Sequence, residues 1–544
     1  MKAFFSALAL TASLACNLVC SLAMAKNLTT KEKLADFDQL NLTIESSYGP
    51  LYYKQQVRGL KLEELKASYR QQIEATQTNF DFYQTVIRYV SEFHDGHFGV
   101  TVNSDYKAEL PIATDLVDGK VLIGNIDRTK LSEKDFSFAK GDEVVSIDGT
   151  PVAKVIEDLS HYLGSGFSLT EKRNATQLLF VRSARRFKVP TGEVEIEIRR
   201  GTSNILDKAK LKWEVSGNPF DEKIQPMAFR PNNAIGTNYD MLSIRQEIYD
   251  LLGKDRAERS YRCSGDTRIA IPSDATIIMK KPFVAYYHPT KLGNIGYLRI
   301  PHYYWQSDDG KTNTYEEVFK QYEYAIQQLE QNTLGLIIDQ DHNCGGSVDF
   351  LHRMVSLFIS EPVAPMQFQL LASKKEYLDF KSWMNEVADN SIEQKDLQSV
   401  LDLIKTTWDK GEYLTPMTTL SGDKLIYPNR FHYTKPIVML IDELAGSGGD
   451  AFPSIMGGIK RATLLGTRTS GLGGHVESQP ALNNSGLNWR MTKSLFYRPD
   501  GVPVENNGAV PDVPYTITRD DYVYEYKNYQ SFYLKTLFEK IQKD

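Results

Sequence analysis

Two loops carry the residue types that can do chemistry. The first reads Asp339-Gln340-Asp341-His342-Asn343-Cys344-Gly345-Gly346, the second Asp442-Glu443-Leu444-Ala445-Gly446-Ser447-Gly448-Gly449-Asp450. Paired glycines let a substrate carbonyl approach the backbone closely. Ser447 has glycine on both sides, so a sharp turn is sterically allowed there. A serine on such a turn can act as nucleophile, with the amide that follows it as donor to an oxyanion. The same residues also fit a plain helix N-cap, a position that serine favours. A nucleophilic serine needs a proton acceptor. An imidazole, with an ordinary pKa near 6.5, is mostly neutral at pH 7 and suits that task. The chain has nine histidines, of which His342 and His475 lie in cleft loops. No H-E-x-x-H motif and no clustered Cys/His spacing point to a metal site, and no cofactor is expected.

Elements that could position these loops are legible around them. Leu334 to Ile338 and Ile437 to Ile441 are short apolar runs, as strands buried on both faces should be. Asn294 to Ile300 and Ala462 to Gly466 read as further strands. Tyr315 to Gln331, Val348 to Ser360 and Ser447 to Lys460 read as helices between them. Strands alternating with helices predict a parallel α/β sheet over residues 290–520, with ligands at the carboxyl ends of the strands. Both loops lie at such ends.

The rest of the chain divides by texture. Residues 26–104 read as helical, with one apolar face from Leu34 to Ile44 and a second stretch from Tyr69 to Phe93. Residues 105–215 hold short β-rich runs (Lys120 to Ile123, Glu143 to Ile147, Glu193 to Ile198) and the turn Asp148-Gly149-Thr150-Pro151. Residues 216–289 are polar and read as a linker or insertion, and 521–544 as a C-terminal helix. Residues 1–25 read as a cleavable export signal: Lys2, a small and apolar run, then Ala23-Met24-Ala25. A soluble protein, periplasmic or extracellular, is therefore expected, touching a membrane only during export. Removal of the signal leaves Cys263 and Cys344, which either pair in an oxidising compartment or remain inert thiols. Asp plus Glu (69) exceed Lys plus Arg (63), and no long basic run occurs. That balance argues against a nucleic-acid partner. Oligomeric state is not legible.

These motifs, in this order, resemble the tail-specific, tricorn-like serine peptidase family. Its D-x-R-x-N-x-G-G pattern is met at Asp339, Asn343, Gly345 and Gly346, and its S-x-x-[DE] element at Ser447 and Asp450. Thr469-Ser470-Gly471 matches T-x-G, and Gly508-Ala509-Val510-Pro511-Asp512 matches G-x-x-P-D. Phe138 to Gly149 resembles the signature of the PDZ-like domain that the family carries. The resemblance implies a crotonase-like parallel-sheet core, an N-terminal helical segment, and a PDZ-like domain inserted between them.

The resemblance also implies site roles. Ser447 becomes the nucleophile rather than a cap. The family's Ser–Lys branch is excluded, because the corresponding positions are Leu472 and Val476. The His-containing branch places its base in a D-G-H element, met at Asp95-Gly96-His97, with His94 a nearby competitor. Glu505, shortly before Gly508, would orient His97. The backbone amides of Gly345 and Gly448 would form the oxyanion hole. One departure stands out: the family's Arg is Asp341 here, which reverses a charge beside the cleft. The expected function is an exported serine peptidase that cleaves peptide or protein substrates through an acyl-enzyme. The competing reading is a catalytically weak or inactive peptide-binding protein of the same fold, resting on Asp341 alone.

Overall fold

A computed structural model describes residues 27–201, 203, 205–219, 263–304, 315–385, 392–420 and 424–543. The expected export signal, and most of the expected 216–289 linker, lie outside these residues. Among them, no helix is long and apolar enough to cross a membrane.

A seven-stranded sheet forms the core. Five strands run parallel in the order Gly293–Arg299, Gly335–Asp339, Ile437–Ile441, Thr463–Gly466 and Val513–Pro514. Two antiparallel strands, Thr276–Met279 and Ala285–Thr290, extend one edge. The sheet is thus mixed rather than purely parallel, and it starts before residue 290. The hairpin was hidden because Lys281-Pro282 and His288-Pro289 break its apolar pattern.

Alternation along each strand explains the layering. Leu336, Ile338, Met439 and Ile441 face the helices Tyr315–Asn332, Val348–Ser356 and Gly448–Gly458. Ile337, Val438, Leu440 and Leu465 face the C-terminal helix Lys527–Ile541 through Tyr529, Tyr533 and Leu537. Ile437–Ile441 is buried at every residue, so both faces of the central strand are dry.

The N-terminal region is four helices, not two long ones. The stretch read as continuous from Tyr69 breaks at Thr76–Thr78, and Leu62–Ala75 is followed by Asn79–Ser91. The reason is local: Thr78 and Asp81 form a reciprocal capping box that starts a new helix. Phe37, Leu40, Ile44, Phe82, Val86 and Val90 pack with Trp489 and Met491 of the core. The strand Gly99–Thr101 pairs antiparallel with Asn488–Arg490. The Asp95–His97 turn is therefore fixed between a packed helix and a strand of the core.

Residues 112–212 form a separate sheet around Ile123, Val144, Ile156, Val194, Ile196 and Ile198. Its helix Ser168–Gln177 meets the core sheet. Thr170 Oγ1 donates to the Glu443 carbonyl at 2.8 Å. Arg173 is buried there and donates two parallel hydrogen bonds to the Asp115 carboxylate, with further contacts to Asp442 (3.2 Å) and Glu443 (3.0 Å).

Candidate active site

From Ile437 to Met456, Ser447 is the one residue that is not buried. Its backbone has φ 58° and ψ −117°. Ser447 closes a capping box with Asp450, but an ordinary N-cap has extended backbone, and here a strained turn projects the residue. The carboxylate of Asp450 fixes that turn. It accepts from the amides of Ser447 (2.6 Å), Gly471 (2.8 Å) and Leu472 (3.0 Å), and from Thr469 Oγ1.

The two glycine loops are tied together. Pro453 has no N–H for the Gly449 carbonyl one turn back, and Gln340 Nε2 donates to that carbonyl instead, at 3.0 Å. The Gly446 amide donates to Asn343 O at 3.2 Å. A Cβ on Gly345 would stand 2.8 Å from the Ser447 Cβ, so only glycine fits there.

The expected oxyanion pair needs one correction. The Gly345 amide donates to Asn343 Oδ1 at 2.8 Å, because an Asn side chain readily closes a turn on the residue two positions on. The amides of Gly346 and Gly448 make no hydrogen bond among the described residues, and a Cβ on Gly448 would lie 3.1 Å from the Gly346 nitrogen. The open pair beside Ser447 is thus Gly346 and Gly448.

His97 is buried. Its amide donates to Asp95 Oδ1 (2.8 Å). The second Asp95 oxygen accepts from Tyr48 OH (2.8 Å) and Thr492 Oγ1 (2.7 Å). Glu505 is fully buried. Its carboxylate bonds to Lys54 Nζ and accepts from the Gly473 amide at 3.0 Å. Burial, together with the nearby Asp95 carboxylate, pushes Glu505 up to about 8 against the pull of Lys54. Asp450 and Glu505 thus hold adjacent amides of one segment, Gly471 to Gly473.

The other histidines are engaged elsewhere. His342 Nε2 meets Asp442 (2.9 Å) and Arg173 (3.0 Å), and burial lowers its pKa. His475 Nδ1 bonds Ser494 Oγ (2.8 Å), and burial with Lys493 nearby lowers it to about 3. His94 is largely exposed and pairs with Glu171 at 2.9 Å. Asp341 is buried, ion-paired with Arg268 and reached by Tyr529 OH at 3.4 Å. Burial pushes the Asp341 carboxyl up to about 7 against the pull of Arg268, so the carboxylate faces an arginine within the protein rather than standing as a bare charge in the cleft.

Lys54, Arg173 and Arg268 were not singled out from sequence. Each meets its partners across a long stretch of chain, 451 residues in the case of Lys54 and Glu505, and no local pattern marks them.

Residues 294–515 match the model of peptidase family S41, and residues 106–224 match a PDZ domain model. A protein of Chlamydia trachomatis serovar D is 28% identical, with 93% of this chain and 92% of that protein covered. The solved structure of mature CPAF superposes with a TM-score of 0.79 at 25% identity, covering 95% of this chain and 98% of that one. CPAF complexed with lactacystin gives 0.77 at 26%, covering 95% and 99%. The match to peptidase family S41 and the likeness to CPAF support a serine peptidase with a PDZ domain.

Proposed function

We propose that this peptidase cleaves peptide bonds through an acyl-enzyme on Ser447. The observation that carries the reading is the half-buried Ser447 on a strained turn, beside the open Gly346 and Gly448 amides. His97 takes the hydroxyl proton as Ser447 Oγ attacks the scissile carbonyl. The resulting oxyanion accepts from the two amides, each worth about 3 kcal/mol of barrier. His97 then protonates the leaving amine, and water repeats the cycle on the ester. Once it has lost its proton, as pH passes through about 8, Glu505, held by Lys54, supplies a negative charge that stabilises the imidazolium. Apo sites often hold base and nucleophile loosely and tighten with substrate, and the shared 471–473 segment is the part that would move.

A crotonase-like description of the core, and substrates bound in extended form along the cleft, belong to the same reading. Export is supported by residues 1–25 and by the disulfide between Cys263 and Cys344, a bond that persists in oxidising compartments.

Pre-steady-state hydrolysis of a p-nitrophenyl ester tests the acyl-enzyme. A burst of p-nitrophenolate equal to the enzyme present is expected, with none from Ser447→Ala and a slowed one from His97→Ala. Linear release from the first turnover, unchanged in Ser447→Ala, would overturn the assignment.

A further inference from the structure

A short segment, Cys263 to Arg268, lies across the loop that carries the open Gly346 amide and is tied to it at two points. Cys263 is bonded to Cys344, two residues before Gly346, with the Cα atoms 5.3 Å apart. The Cys263 amide also donates to the His342 carbonyl at 3.3 Å. Five residues on, Arg268 pairs with Asp341 and lies over the Tyr526 ring, 5.1 Å from its centroid. Between the ties, Arg299 Nε donates to the Ser264 carbonyl at 3.2 Å, and its Nη1 donates to the Asp341 carbonyl at 2.6 Å. The segment and the loop therefore run in opposite senses, clipped at both ends.

The loop under this strap has unusual backbone. His342 has φ 58°, Gly345 77° and Gly346 147°, and Cys263 itself has φ 52°. Glycine adopts such angles freely, but at His342 and Cys263 they persist only where the surroundings over-determine them. Tyr303 holds the 345–346 peptide directly, its amide donating to the Gly345 carbonyl at 2.7 Å and its carbonyl accepting from the Ser347 amide at 3.0 Å, and the strap adds ties at Asp341, His342 and Cys344.

We propose that the Cys263–Cys344 disulfide and the Arg268–Asp341 pair are positioning elements for the oxyanion hole, and that reduction of the disulfide slows the peptidase. The inference rests on the reading of Ser447 and Gly346 given above. The chemistry is thiol–disulfide exchange with a dithiol. One thiolate of the reductant attacks Cys263 Sγ, which belongs to the less buried of the two residues. The Cys263–Cys344 bond breaks as a mixed disulfide forms, and Cys344 leaves as a thiolate and takes a proton. The second thiol of the reductant then displaces Cys263, which is also protonated, and the reductant closes into its own disulfide. Two electrons and two protons pass to the protein. Freed of this tie, the loop keeps its Tyr303 bonds but loses part of its outer constraint, and the Gly346 amide shifts. Losing an oxyanion donor outright costs about 100- to 1,000-fold in kcat, so a loosened one should cost about tenfold or more, with KM nearly unchanged.

The test uses the full chain and a fluorescently labelled casein, with a fluorophosphonate probe alongside. Turnover and labelling at Ser447 are measured before and after treatment with dithiothreitol, and again after reoxidation with diamide. Alkylation followed by peptide mass spectrometry reports the state of Cys344, and circular dichroism reports the fold. The expected result is a fall in kcat and labelling rate on reduction, restored by reoxidation, with the fold intact. The Cys263→Ala/Cys344→Ala variant should run at the reduced rate and ignore both reagents. Arg268→Lys should retain more activity than Arg268→Met. Equal rates in the oxidised and reduced protein would overturn the proposal, as would a fall in rate that merely follows unfolding. Failure of the underlying reading looks different: the oxidised protein would not label at Ser447 at all.

Discussion

Asp450→Asn is the smallest change that should disturb the serine turn, and its cost can be worked from the contacts. The Asp450 carboxylate is fully buried. One oxygen serves Ser447 and Leu472, and the other serves Gly471 and Thr469. An Asn side chain has one acceptor oxygen and one NH2. Facing the NH2 to Ser447 and Leu472 would oppose two backbone donors. Facing it to Gly471 and Thr469 opposes only one, because the Thr469 hydroxyl can turn and accept. The second arrangement should win, leaving the buried Gly471 amide unsatisfied at about 1–3 kcal/mol. The remaining bonds fall from charge-assisted to neutral, about 1 kcal/mol each. Part of that loss is offset by no longer burying a charge, so the net should be about 3–5 kcal/mol. Urea unfolding at constant m-value reads the stability. Fluorophosphonate labelling of the folded fraction reads the site, and a fall of about tenfold is expected because the Ser447 amide bond survives in weakened form. A stability loss below about 1 kcal/mol would refute the claim that this carboxylate fixes the turn.

Three further outcomes follow from the same contacts. Arg173→Met should strand Asp115, Asp442 and Glu443 in a buried interface and cost about 3–5 kcal/mol in chemical denaturation; a loss under 1 kcal/mol would contradict the buried network. If ionised Glu505 supports His97, activity should rise as pH passes through about 8, where Glu505 loses its proton, and Glu505→Gln should lower kcat and flatten that limb. An unchanged limb in the variant would remove Glu505 from the mechanism. His352 is buried, and burial holds its pKa at about 4. The unfolded chain then binds more protons below pH 6.5, so stability is whole above that pH and falls as the medium is acidified toward 4. At pH 5 the loss from this group is about 2 kcal/mol. His352→Phe should reduce the stability difference between pH 7 and pH 5 by that amount, and an unaltered difference would disprove the assignment.

What the sequence made legible follows from how local each signal is. Ile437 to Ile441 is apolar at every position, so a strand buried on both faces is its natural reading, and the structure places it at the centre of the sheet. The glycines around Ser447 likewise mark a sharp turn without further context. The hairpin at 276–290 escaped because its prolines and His288 look like loop chemistry, whereas tertiary pairing with Gly293–Arg299 makes it sheet. The proposal of Gly346 over Gly345 as oxyanion donor rests on Asn343, whose side chain claims the amide two residues on. That rule is local and was available from the sequence. The Lys54–Glu505 and Arg268–Asp341 pairs and the Cys263–Cys344 bond were not. Each depends on which distant segments the fold brings together, and spacing along the chain carries no record of it.

The central claim is that Ser447 is a nucleophile activated by His97. Treating the protein with a fluorophosphonate and locating the adduct by peptide mass spectrometry tests it most directly. The account predicts a single adduct on Ser447, slowed at least 100-fold in His97→Ala and absent from Ser447→Ala. Labelling at another residue, or at Ser447 with equal speed in the absence of the imidazole, would contradict it.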